Sequence, residues 1–193
     1  MRRNIGYHLA RWRVRSVLPH VRGRLLDIGC GTNELVRAYR GDGLGVDVFQ
    51  WGEVDLVVED SARLPLPDAS FDTVTIIAAL NHIVRREAVL REARRVLVED
   101  GRLILTMIPP GVGRLWHVVN RSWDVDQTER GVASDEDWGL TRRSIDALLA
   151  SAGFTVVDRR RFMLGINQLT VARKGPLPTS ESSAGTVPSG SEP

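Results

Sequence analysis

The chain has almost no lysine and almost no cysteine. Of 26 basic residues only Lys174 is a lysine, and Cys30 is the single cysteine in 193 residues. One thiol cannot close an internal disulfide, so the core must carry the fold; this suits a reducing compartment, and a cytoplasmic location is expected. No apolar run approaches the roughly 18–20 residues that span a bilayer. The N-terminus lacks the apolar stretch and small-residue cleavage site of a signal peptide. A net charge of only +2 gives no mandate for nucleic acid. The arginine excess is read as coding bias rather than selection for phosphate forks. Acids are absent from residues 1–26, which hold Arg2, Arg3, Arg11, Arg13, Arg15, Arg22 and Arg24.

What is present is ordinary for one globular domain: 42% apolar and 26% charged residues. The basic N-terminal segment, residues 1–22, has helical periodicity. Val14, Val17, Leu18 and Val21 can share a face, as can Ile5, Leu9 and Trp12. It is expected to pack on the domain with its arginines solvated; contact with a membrane surface is the alternative. His8 and His20 are then surface residues.

From Gly23 onward, strand and helix patterns alternate. Strands are expected at 23–28, 43–48, 54–58, 71–79 and 102–108, and helices at 33–40 and 86–98, with Asp100-Gly101 turning the chain. Such alternation implies right-handed crossovers and a doubly wound, mostly parallel α/β sheet. Thr141 can cap a helix running to Ala152. Strands at 154–164 and 168–173 have little between them and predict a terminal antiparallel hairpin. Residues 175–193, rich in Pro, Ser and Gly, are expected to be disordered.

The chemistry-bearing residues fall at strand ends. Leu25-Leu26-Asp27-Ile28-Gly29-Cys30-Gly31-Thr32-Asn33-Glu34-Leu35 is a buried-strand pattern, an acid, a Gly-x-Gly turn and a helix start. Glycines at 29 and 31 let a ligand approach the backbone. Asp47 ends the second strand about 20 residues after the first turn begins, where a carboxylate can accept both hydrogens of a ribose diol. Asp60-Ser61-Ala62 follows the third strand and can read an adenine edge. A dinucleotide would want glycine where Glu34 stands, and a carboxylate there repels a pyrophosphate. S-adenosylmethionine has no phosphate and carries a sulfonium cation, which suits acids at 27, 47 and 60.

These motifs, in this order, resemble a class I S-adenosylmethionine-dependent methyltransferase of the small-molecule, ubiquinone-biosynthesis-like group (methyltransferase type 11). The resemblance runs from about Arg24 to Ile108, with a weaker echo to Arg173. It includes Leu80-Asn81-His82 after the fourth strand and Arg94-Arg95-Val96-Leu97 with Asp100-Gly101-Arg102-Leu103. It implies a Rossmann-like sheet with a reversed last strand, spanning residues 23–174. It implies S-adenosylmethionine as cofactor and S-adenosylhomocysteine as product. The cofactor residues it points to are Asp27, Gly29, Cys30, Gly31, Asp47, Val48, Asp60, Ser61, Ala62 and Ala79. Where many members carry a third glycine this chain has Asn33, a residue that enters left-handed conformations more easily than most.

Methyl transfer needs the acceptor held in line with the methyl group, and a base only where the acceptor must lose a proton. The resemblance makes His82 the candidate base and residues 109–140 the acceptor region, with Trp116, Trp123 and Trp138 as pocket walls. His117 is a second candidate. Asp124, Asp126, Glu129, Asp135, Glu136 and Asp137 lack the spacing of an oxygen-ligand loop, so no metal is expected. Nucleic-acid bases are disfavoured as acceptors: no Asp/Asn-Pro-Pro-aromatic segment follows the fourth strand, and Cys30 belongs to the cofactor turn. The expected function is therefore O-, N- or C-methylation of a small organic acceptor. The alternatives are an RNA or protein methyltransferase and a cofactor-binding regulatory module without turnover.

Overall fold

The computed structural model describes residues 5–108 and 140–175. In chain order the elements are α1 (Ile5–Val17), β1 (Leu25–Ile28), α2 (Glu34–Ala38), β2 (Gly43–Asp47), β3 (Leu56–Val57) and β4 (Phe71–Ile77). They continue with α3 (Arg86–Val96), β5 (Leu97–Met107), α4 (Arg142–Ser151), β6 (Phe154–Phe162) and β7 (Asn167–Lys174). One sheet is ordered β3-β2-β1-β4-β5-β7-β6. β1 pairs in parallel with β2 and β4, and β4 with β5. β7 lies antiparallel to both β5 and β6. The doubly wound, mostly parallel sheet with a terminal antiparallel hairpin is thus what the chain forms.

Alternation along the strands sorts the core onto the two sheet faces. Leu26, Ile28, Leu103 and Leu105 join Leu90 and Ala93 of α3 and Leu149 of α4. Leu25, Ile104, Leu169 and Val171 join Val17 of α1 and Leu35 of α2. β1 is buried along its whole length, as a strand covered on both faces must be. Chain order reverses between β1 and β4, and the crevice outside their carboxyl ends is where open α/β sheets take ligands.

Several boundaries differ from expectation for local reasons. β4 stops at Ile77 because Ala78 takes a positive φ of 52°. The turn expected at Asp100-Gly101 lies inside β5: the register jumps from Phe71↔Leu97 to Thr73↔Arg102, so residues 98–101 form a bulge. A Cβ on Gly101 would sit 2.8 Å from the Val98 carbonyl oxygen, which keeps that position glycine. The Thr141 cap is present, its hydroxyl accepting from the Ser144 amide at 3.1 Å. Apart from Leu140 and Gly175, the expectations for residues 109–140 and for the tail lie outside the described residues, as do His117, Trp116, Trp123, Trp138 and the acids between 124 and 137.

Candidate functional site

Asp27, the last but one residue of β1, sits in a place that excludes water, at 3% exposure. Its Oδ1 accepts from the Thr75 hydroxyl on β4 at 2.6 Å. Burial pushes its carboxyl up to about 7, the nearby Asp47 charge adding to the effect and the Thr75 bond opposing it. Asp47 ends the neighbouring strand and is equally buried. One of its oxygens accepts from the Gly31 amide at 2.9 Å and the other from the Phe49 amide at 3.2 Å. A carboxylate has about four acceptor sites, so two bonds leave capacity for a ligand.

Gly29 and Gly31 both take positive φ, 71° and 54°. A Cβ on Gly29 would lie 2.8 Å from the Ala79 Cβ, whereas one on Gly31 would meet nothing within 4 Å. Gly29 therefore packs the loop against the β4 exit, and Gly31 leaves open space. Asn33 occupies the left-handed region at φ 60°. Its amide donates to the Glu53 carbonyl and to Asp55, both at 2.9 Å. Asp55 also accepts from the Gly45 amide at 2.7 Å. A Cβ on Gly45 would fall 2.1 Å from Asn33 Oδ1. Asparagine thus supplies a positive-φ residue and a tether to β2 and β3 together.

These ends enclose a cavity of about 330 Å³. Of the residues named from sequence, Asp27, Gly29, Cys30, Gly31, Asp47 and Val48 line it from the first two strand ends. Ser61, Ala79 and His82 line it from the next two. Asp60 and Ala62 are not among the lining residues. Asp60 accepts from the Ala62 amide at 2.9 Å and pairs with Arg85. His82 is exposed, in a 3-10 turn spanning Leu80–His82, with its Nε2 3.0 Å from the Asn81 amide nitrogen. The Cys30 thiol is held well above its ordinary value by burial, with Asp27, Asp47 and Asp55 adding; it stays protonated and is no nucleophile.

Sequence reasoning missed part of the wall. Arg13 and Val14 of α1 line the cavity, as do Glu34 and Trp51. Helical phase holds the signal for Arg13: Ala10, Val14 and Val17 stand three, one and four residues from it, on one stripe. Arg11 and Arg15 are exposed. The expectation that all the arginines of this helix are solvated therefore fails at Arg13. Trp12 is 45% exposed rather than part of an inward face.

Two buried carboxylates beside a short helix that starts with Glu34 suit a cationic nucleoside ligand and oppose a diphosphate. The chain is similar to several known proteins. Residues 26–105 match the family described as a methyltransferase domain. The 27-O-demethylrifamycin SV methyltransferase of Amycolatopsis mediterranei is 35% identical over 120 residues, covering 48% of this chain and 42% of the relative. A demethylmenaquinone methyltransferase of Thermus thermophilus is 32% identical over 121 residues, covering 52% and 55%. The chain spans about half the length of these curated relatives. An S-adenosylmethionine-dependent methyltransferase structure from Thermotoga maritima superposes with a TM-score of 0.64 at 20% identity, covering 85% of this chain and 88% of that one. The fold is that of the class I methyltransferases.

Proposed function

We propose that this protein transfers a methyl group from S-adenosylmethionine to a small organic acceptor, releasing S-adenosylhomocysteine. The observation that carries the reading is the cavity at the β1, β2 and β4 ends, where Asp27 and Asp47 are buried around an open Gly31. The named relatives methylate 27-O-demethylrifamycin SV and demethylmenaquinone, and a small acceptor of that broad kind follows. The chain's residues fit the cofactor. Asp47 would hold the ribose diol, the Asp60–Ala62 loop would meet the adenine edge through Ser61, and the Gly29–Gly31 turn would leave room for the ligand. Val48 and Ala79 give apolar wall.

The bound cofactor supplies an already activated methyl group on a sulfonium. The protein's work is then to place the acceptor in line and exclude water. Asp27, at the cavity wall, would favour a cationic ligand through its negative charge. His82, at the cavity wall after β4, takes the proton of an acceptor that must lose one. Residues 23–174 form the catalytic domain in this reading, 109–140 the acceptor region, 1–22 a helix packed on the domain, and 175–193 a tail. A cytoplasmic location belongs to the same reading; among the described residues no helix is long and apolar enough to cross a membrane.

Calorimetric titration with S-adenosylmethionine and with NAD tests the cofactor: binding of the first alone is expected, and binding of NAD alone ends the reading. Labelled methyl transfer to a panel of small acceptors, RNA and protein then separates the substrate classes. Tight cofactor binding with no transfer to any of them would favour a regulatory module. For an acceptor that must be deprotonated, His82→Ala should cost about 10²–10⁴ in turnover, and a wild-type rate removes His82 as base.

A further inference from the structure

A second cavity, of about 290 Å³, opens at the carboxyl end of β5. Its floor is apolar: Met107 of β5, Leu140, and Ile145 of α4 are all buried. Its rim is cationic. Four of the nine lining residues are arginines, Arg142 of α4 and Arg159, Arg160 and Arg161 of β6, and none is an acid. Arg160 pairs with Asp158 at 2.9 Å. Arg159 and Arg161, two apart on one strand, point to the same face. Arg142 and Arg159 share a single carboxylate, Asp146: Arg142 Nε lies 3.9 Å from it, and Arg159 uses both terminal nitrogens on it. The Arg159 Nε is buried and has no hydrogen-bond partner. Among the described residues no carboxylate pairs with Arg161. Three guanidinium groups against one carboxylate leave this cavity positive, and like charges gathered in one place repel unless an anion joins them. The cofactor cavity next to it is of the other sign, with Asp27, Asp47 and Glu34 in its wall against Arg13. The two adjoin across the β4–β5 ladder: Ala78 lines the first and donates to the Thr106 carbonyl at 3.1 Å, and Met107, the next residue, lines the second.

We propose that this second cavity receives the methyl acceptor, and that the acceptor is an organic oxyanion. Its apolar body would rest on Met107, Leu140 and Ile145, and its carboxylate or phosphate group would sit among Arg142, Arg159 and Arg161. This rests on the methyl-transfer reading above and narrows its acceptor to one chemical class. The planar forks of arginine match either oxyanion. An apolar floor with a few convergent polar groups is the usual make-up of a small-molecule site. Asp146 holds Arg159 in place, so the buried Nε is its one unused donor. A cationic donor in the acidic cavity and an anionic acceptor in the basic one would also attract each other across the strand ends.

The test is calorimetry on the full chain saturated with S-adenosylhomocysteine, with three bicyclic probes: 2-naphthoate, 2-naphthyl phosphate and the neutral 2-naphthamide. At least one anion should bind about tenfold more tightly than the amide, and the tighter of the two names the oxyanion. Arg142→Gln and Arg161→Gln, both at exposed positions, should each weaken that anion by about 5- to 20-fold and leave the amide within about twofold. Arg91→Gln, at an exposed position of α3 outside the cavity, should change nothing. A loss of equal size in Arg91→Gln would mean diffuse charge attraction and overturn the assignment. Unchanged anion affinity in both Arg142→Gln and Arg161→Gln would overturn it too. So would equal affinity for the three probes, or binding of none, by wild-type protein that still binds S-adenosylhomocysteine; either result leaves the methyl-transfer reading standing and needs no variant to fold. Wild-type protein that does not bind S-adenosylhomocysteine removes that reading, and this one with it.

Discussion

The two halves of the sheet bury different things. The parallel half, β3-β2-β1-β4, buries two carboxylates at its carboxyl edge, Asp27 and Asp47, each at 3% exposure. The half built from β5, β7 and β6 buries only neutral polar side chains among its described residues: Thr106, Asn167 and Thr170. Of its charges, Arg160 and Asp158 pair in solvent, while the largely covered Lys174 reaches the exposed Glu99. Burying a carboxylate costs several kcal/mol unless something repays it. The parallel half keeps that cost where a cation would sit; the antiparallel half spends its burial on packing. Affinity and stability should therefore come apart when the two halves are mutated.

The largest expected effect is on stability. Leu169 on β7 is 1% exposed and packs against Val17, Leu25 and Ile104. Leu169→Ala should cost about 2–5 kcal/mol in urea unfolding through lost transfer energy and a cavity. Cofactor affinity per folded molecule should hold. An affinity loss of similar size would mean that the halves are mechanically one. Asp47→Ala should do the reverse. Losing a charge-assisted pairing with ribose should weaken cofactor binding by about 1.5–3 kcal/mol. Stability should move less, because removing a buried carboxylate relieves desolvation while freeing the Gly31 and Phe49 amides. Intact affinity with a fallen melting temperature would take Asp47 out of the site.

The next effect is carried by protons. Asp27 is raised from 3.8 to about 7 in the folded chain. The folded form thus holds a proton that the unfolded chain gives up above about pH 4. Asp27's contribution to stability falls as pH rises from about 4 to 7 and is flat above that. Binding runs the other way, since a cation favours the ionised carboxylate. Affinity for S-adenosylmethionine should rise about tenfold from pH 5.5 to pH 7. The neutral 5′-methylthioadenosine should show much less dependence, and Asp27→Asn should flatten the curve. Equal slopes for the two ligands would disconnect Asp27 from the positive charge.

The parallel half was also the more legible from sequence, and for a physical reason. Gly29, Gly31 and Asp47 act through the backbone: a positive φ and an amide bond to a strand-end acid are properties of local sequence. Arg13 was not legible in that way. Helical phase sets Arg13 on the stripe of Ala10, Val14 and Val17, but that this stripe faces the cavity depended on where α1 docked. Asp60 shows the same limit from the other side. Its place in the loop was readable, yet its pairing with Arg85, 25 residues away, was not. The bulge at residues 98–101 was hidden because Asp-Gly reads equally as a turn between elements and as a break within one.

The smallest effect compares one backbone conformation in both halves. Ala78, at φ 52°, ends β4 and lines the cavity, while its amide donates to the Thr106 carbonyl at 3.1 Å. Leu164, at φ 56°, sits in the β6–β7 turn and is 93% exposed. A left-handed non-glycine residue costs about 1–2 kcal/mol, and glycine gives back about 0.4–1 kcal/mol in chain entropy. Leu164→Gly and Ala78→Gly should therefore each raise stability by up to about 1 kcal/mol. Only Ala78→Gly should also loosen cofactor binding, because residue 78 sets the direction in which Ala79 and His82 leave the strand. Loss of affinity in Leu164→Gly, or none in Ala78→Gly, would show that the strain at 78 belongs to the turn and not to the site.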